Sequence, residues 1–221
     1  MKSKNRQQKE LHEICQAGAP TVKIIKPYKD TDLILEKLRQ AEEEGCFATG
    51  MDISFFYGAQ IGDRMVADQI VAPKSSAEMK RIMDATRLPF IFKGVLSLQD
   101  AKKALDLGAA AIVVSSHSGS VMDYSVPPLR ILPAIAKLVR GRIPILADGD
   151  IRRGSDVYKA LALGADGVLV GRALMAGLEM DGAEGVSKVV RGITEELRRI
   201  MGQTGCSRIA DIDPSVLWMP E

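Results

Sequence analysis

Several things are scarce in this 221-residue chain, and each scarcity removes a class of function. Aromatic residues make up 5% of it and are not interleaved with basic ones, so no base-stacking platform is visible. Net charge is +2, too small to argue for a nucleic-acid partner. Three cysteines, Cys15, Cys46 and Cys206, are widely spaced, which gives neither a disulfide framework nor a metal-ligand spacing and suits free thiols in a reducing cytoplasm. No apolar run approaches the length of a membrane span. The basic start has no hydrophobic stretch after it, as a secretory signal would need. Histidine occurs twice, at His12 and His117. What remains is 46% hydrophobic and 26% charged, ordinary for a globular chain long enough to bury one sizeable core.

The most informative stretch is Ile143 to Arg172. Pro144 to Ala147 is a short apolar run and reads as a buried parallel strand. Residues 148–154 form a loop with two glycines and two arginines. Asp156 to Leu163 reads as a helix, with Val157, Ala160 and Leu161 on one face and Gly164 as its stop. Val168 to Val170 is the next strand, and Gly171-Arg172 closes it. Two successive strand ends thus offer glycine N–H groups and an arginine on one edge, a pattern that suits a phosphate group.

The same unit recurs. Residues 100–114 resemble residues 156–170, an offset of 56 (156 − 100), each copy being a helix, a Gly-Ala turn and a strand. Further helices are expected over 5–17, 30–44, 75–86, 97–107, 129–139 and 186–201. Residues 54–74 read as a long loop, and the C-terminal tail as a surface segment. Strands are expected near residues 22, 48, 91, 112, 145 and 169. Alternating strands and helices imply a parallel sheet with right-handed crossovers, and the repeat favours a TIM-type (β/α)8 barrel. No Gly-x-Gly-x-x-Gly follows an early strand, which disfavours a dinucleotide fold. A closed barrel needs eight strands. The expectation is therefore a single α/β barrel domain over 1–221 that lacks its first two βα units, with open edges that a homo-oligomer would cover.

The working face of such a barrel is the C-terminal end of its strands. Those ends carry Lys26, Asp52, Lys93, Ser115 with His117, Asp148 with Arg152, and Gly171 with Arg172.

The run from Pro89 to Arg172 resembles the FMN-dependent 2-hydroxy-acid oxidase and dehydrogenase family, which includes lactate and glycolate oxidases. The carrying motifs are Leu-Pro-Phe-Ile-Phe-Lys-Gly-Val at 88–95, Val-Val-Ser-Ser-His-Ser-Gly at 113–119, the run Asp-Gly-Asp-Ile-Arg-Arg-Gly from 148 with its helix, and Val-Gly-Arg at 170–172. Gly-Met-Asp-Ile at 50–53 and Met-Asp-Tyr-Ser-Val-Pro-Pro-Leu at 122–129 resemble a divergent bacterial branch. The resemblance implies that Arg152, Gly171, Arg172 and the backbone of Asp148, Gly149 and Asp150 hold the FMN phosphate, with the Asp148 side chain on ribityl hydroxyls. It implies Lys93 beside flavin N1 and O2 and Ser115 against the ring. His117 would take the substrate hydroxyl proton as hydride leaves for flavin N5, and Asp52 would orient His117.

Some positions depart from the family. Ser120 stands where an arginine clamps the substrate carboxylate, and Lys26 stands near the place of a substrate-binding tyrosine. Lys26 or Arg64 would then hold the carboxylate. Asp150 replaces a glycine in the phosphate loop, where its carboxylate repels phosphate unless it points outward. The resulting expectation is oxidation of a small, lactate-like 2-hydroxy acid, with the electron acceptor open. The alternatives are a non-catalytic phosphate-binding remnant and another FMN barrel enzyme, such as an isopentenyl diphosphate isomerase.

Overall fold

The computed structural model describes residues 2–54, 65–66, 69–119 and 124–218. The chain forms two compact units. One comprises residues 1–95 and 99–112, the other residues 96–98 and 113–221.

In the first unit, α1 (Lys2–Gln16) is followed by β1 (Val22–Ile25), α2 (Thr31–Glu43) and β2 (Ala48–Asp52). The amphipathic pattern of α2 buries Leu33, Ile34, Leu38 and Ala41. Its start is fixed by Asp30, whose Oδ1 accepts from the backbone N–H groups of Asp32 and Leu33. A two-residue antiparallel pair follows, β3 (Met65–Val66) and β4 (Gln69–Ile70). It lies in the stretch read as loop; strands this short leave no periodicity to detect. Then come α3 (Ser76–Asp84), β5 (Phe90–Val95) and α4 (Leu98–Leu107). The capping box expected at Ser75 and Glu78 is formed.

β1, β2 and β5 are parallel neighbours in that order, with Ile25 opposite Met51 and Met51 opposite Phe92. All five residues of β2 are buried. A strand with both faces covered explains the continuous apolar runs of the sequence.

β6 (Ala111–Val114) is fully buried and straddles the division: residues 111–112 belong to the first unit and 113–114 to the second. The second unit continues with α5 (Pro128–Val139), β7 (Ile145–Ala147), α6 (Gly154–Ala162), β8 (Gly167–Val168) and α7 (Arg172–Gln203). β7 and β8 are parallel, and Asp148 N–H donates to Val114 O, so the end of β6 runs beside the end of β7.

Apart from the β3–β4 pair, six strands among the described residues alternate with helices, within a few residues of the expected positions. The main difference is α7. A helix was expected only over 186–201, whereas α7 starts at Arg172 and is broken at Asp181 (φ −152°, ψ 31°) and Gly182 (φ 55°, ψ −139°). Gly177, Gly182 and Gly185 dilute the helical signal ahead of residue 186. They also let the two arms meet: a Cβ on Gly185 would lie 1.9 Å from the Gly177 carbonyl oxygen.

Candidate functional site

The first unit builds a charged layer across adjacent strand ends. Asp52 ends β2 opposite Lys93 of β5, and Lys26 follows Ile25 at the end of β1. Asp52 is 2% exposed, and Lys26 Nζ donates to its Oδ2 at 2.7 Å. The Ser54 hydroxyl and backbone N–H donate to Asp52 Oδ1 at 2.9 and 3.2 Å.

Gly94 makes room for that serine. It sits at φ +99°, and a Cβ there would lie 2.3 Å from the Ser54 Cβ. Burial pushes the Asp52 carboxyl up. The Lys26 hydrogen bond and charge, the Lys93 charge and the Ser54 hydroxyl outweigh it, so Asp52 titrates below the ordinary aspartate value. The carboxylate is thus held ionised despite its burial. Lys26, expected to receive a substrate carboxylate, is engaged with Asp52 in this structure.

A separate cavity of about 460 Å³ in the same unit is lined by residues including Ile53, Ser75, Met79, Phe92 and Lys103. Its lining contains none of Lys26, Asp52 and Lys93.

The second unit carries the remaining candidates. Ser115 and Ser116 are buried after β6 and shape the turn that presents His117. His117 N–H donates to Ser115 Oγ at 3.2 Å, and Gly119 N–H donates to Ser116 O and Oγ. His117 is half-buried with φ +51°, a left-handed conformation uncommon for a residue with a side chain. Arg64 and Ser120 lie outside the described residues.

The loop after β7 is held by two carboxylates. Asp156 accepts from the backbone N–H groups of Arg152 and Arg153 at 3.1 and 3.0 Å. Glu196 of α7 accepts from Gly154 N–H at 3.0 Å and from Arg153 Nε at 3.2 Å. Gly154 permits this approach, since a Cβ on it would meet the Leu197 backbone nitrogen at 2.3 Å. The Gly154 N–H is the first cause of Glu196 titrating below its ordinary value.

These two supports were missed in the sequence. Asp156 had a readable signal, an acidic residue in the first turn of a helix. Glu196 is 42 residues from its partner and had none.

The cradle itself is compact. Arg152 Nε and an Arg172 guanidinium nitrogen both donate to Asp150 Oδ1, at 2.6 and 2.9 Å. Asp150 has φ +65°. Gly171 is the N-cap residue of α7 and has open space around its Cβ position. Of the two arrangements left open for the Asp150 carboxylate, the structure shows the one in which it faces both arginines. The physical reason is plain attraction between one carboxylate and two nearby guanidinium groups. Asp148, the other loop acid, is half-exposed, with its Oδ1 buried.

Two guanidinium donors converging on one anionic oxygen, at the start of a long helix, form a donor set that fits a phosphate group.

Alternating strands and helices, charged strand ends and an anion cradle at consecutive loops place the chain in the α/β class. The chain belongs to the FMN-dependent dehydrogenase family, whose model matches residues 57–219. It is similar to an L-lactate oxidase of Roseobacter sp. (strain GAI101), 44% identical over 157 residues, which is 71% of this chain and 42% of that one. A 2-hydroxyacid oxidase of Dictyostelium discoideum is 43% identical over 141 residues, 64% of this chain and 36% of the relative.

Among solved structures, mandelate oxidase with (S)-2-phenylpropionate matches with a TM-score of 0.81 and 34% identity. That match covers 90% of this chain and 63% of the other. The likeness supports the TIM-barrel class inferred from the repeat. The chain spans less than half the length of these two curated relatives.

Proposed function

We propose that this chain binds FMN and takes part in oxidising a small 2-hydroxy acid to the corresponding 2-oxo acid. The observation that carries this reading is the convergence of Arg152 and Arg172 on a single anionic oxygen, in a chain of the FMN-dependent dehydrogenase family.

In this reading Arg152, Arg172, Gly171 and the backbone of residues 148–150 hold the phosphate. Asp148 would take ribityl hydroxyls, and Lys93 and Ser115 would hold the ring, with Lys93 supplying positive charge there. Bound FMN supplies the two-electron acceptor; the protein supplies position, charge and a base. His117 takes the proton of the substrate hydroxyl, for which a neutral imidazole is suited. Asp52 is its proposed carboxylate partner, already ionised in the first unit. Lys26 or Arg64 receives the substrate carboxylate; Lys26 does so by sharing its ammonium with Asp52. A lactate-like substrate is supported by the relative named L-lactate oxidase. Residence in a reducing, cytoplasmic compartment is supported by three free cysteines, two of which, Cys15 and Cys46, have sulfurs 3.9 Å apart. The names of the relatives leave the isomerase and non-catalytic alternatives less favoured.

The test is an FMN titration followed by flavin fluorescence, with Arg152→Ala and Arg172→Ala beside the unaltered chain. Saturable binding weakened about tenfold or more in each variant is expected, since each loses a charge-assisted bond. Anaerobic reduction by lactate, glycolate or mandelate then identifies the acid. A folded chain that does not bind FMN ends this reading.

A further inference from the structure

We propose that Asp150 is a built-in competitor for the phosphate cradle: its carboxylate takes the place of a phosphate oxygen between Arg152 and Arg172, and cofactor binding must displace it. The inference rests on the flavin-phosphate reading of those arginines and adds a role for the residue that departs from the family pattern.

Three observations carry it. The same oxygen, Asp150 Oδ1, accepts from both guanidinium groups, at 2.6 and 2.9 Å. One carboxylate oxygen thus fills the point on which the cradle converges. Asp150 is also held in the left-handed region at φ +65°, a conformation that glycine adopts freely and that aspartate adopts less readily. Third, all three side chains are more than half exposed, at 53% for Asp150 and 59% for each arginine.

That exposure decides the strength of the device. Pairs in water are weak, so the carboxylate occupies the cradle without locking it. A phosphate monoester brings three acceptor oxygens and close to two negative charges, and it outcompetes a single carboxylate. The displaced group remains tethered two residues from Arg152. There it competes at high effective concentration and repels the bound dianion. The consequence is a cofactor site with reduced affinity for the phosphate end of its ligand and unchanged affinity for the ring end.

The test compares the unaltered chain with Asp150→Gly and Asp150→Asn. Asp150→Gly removes the charge and suits the backbone; Asp150→Asn removes the charge and keeps the shape, in a residue that also tolerates this conformation. Each protein is titrated with FMN and with riboflavin, which lacks the phosphate, by calorimetry or fluorescence. The readout is the ratio of the two affinities. The ratio is expected to rise about tenfold in both variants, with riboflavin binding unchanged. An unchanged or lower ratio overturns the competitor role while leaving FMN binding by the unaltered chain intact.

A second arm does not depend on flavin. Thermal unfolding is followed with inorganic phosphate against chloride at equal ionic strength. If no chain binds flavin, the functional reading fails, and this arm decides the inference by itself. Larger phosphate stabilisation of both variants than of the unaltered chain sustains it; equal behaviour of all three overturns it.

Discussion

The two units each hold an aspartate between two cations, and the two triples behave differently. In the first unit Asp52 lies among Lys26, Lys93 and Ser54 at 2% exposure, placed by the register of three parallel strands. In the second, Asp150 lies between Arg152 and Arg172 at 53% exposure, placed by a loop. The buried triple is set by backbone pairing and shifts the acid it contains. The exposed triple is screened by water and is free to exchange one anion for another. Strand ends are suited to fix a charge in place, and loops to exchange a ligand.

The sharpest way to break this contrast is Asp52→Asn. It leaves Lys26 beside a neutral amide in a mostly buried place, and a loss on the order of 3 kcal/mol is expected in urea unfolding. Gly154→Ala acts on the support of the other triple. The added methyl group strikes the Leu197 backbone, and a loss of about 2 kcal/mol is expected, with weaker FMN binding as the loop is pushed from Glu196. A drop in stability without weaker FMN binding would show that the cradle does not depend on that support.

Acid titration sharpens the comparison further. Because the folded carboxyl of Asp52 is depressed, folding favours its ionised form. Its contribution is complete above the unfolded value of about 3.9 and is lost as pH falls through the lower folded value. The stability gap between the unaltered chain and Asp52→Asn should hold from pH 7 to about 5 and close only in strong acid. A gap that closes near neutrality would remove the buried pair as its cause. The smallest effect is expected from Asp150→Asn, within about 1 kcal/mol in the same unfolding assay, because both pairs are exposed.

Much of the fold could be read from the chain. The amphipathic face of α2, the Ser75 capping box and the buried run of β6 are local patterns, and each forms where the residues direct. The Gly-Ala turns of the repeat close α4 and α6 as expected, with Gly108 and Gly164 at positive φ. The short β3–β4 pair and the first arm of α7 were not legible. One is too short to show a period. The other carries Gly177, whose backbone packs against that of Gly185 in the second arm, a contact with no local signal.

For the site, the sequence by itself determined which chemical groups stand at the strand ends. Lys26, Asp52, Lys93, His117, Arg152 and Arg172 follow from strand periodicity and turn signals alone. Only the tertiary structure decided how those groups are engaged. It gave Lys26 to Asp52, set the Asp150 carboxylate between two arginines 2 and 22 residues away, and tied the loop to Glu196 across 42. Pattern along a chain reports which face a residue takes. Charge pairing depends on distance through space, and that distance exists only once strands, loops and helix ends have been brought together.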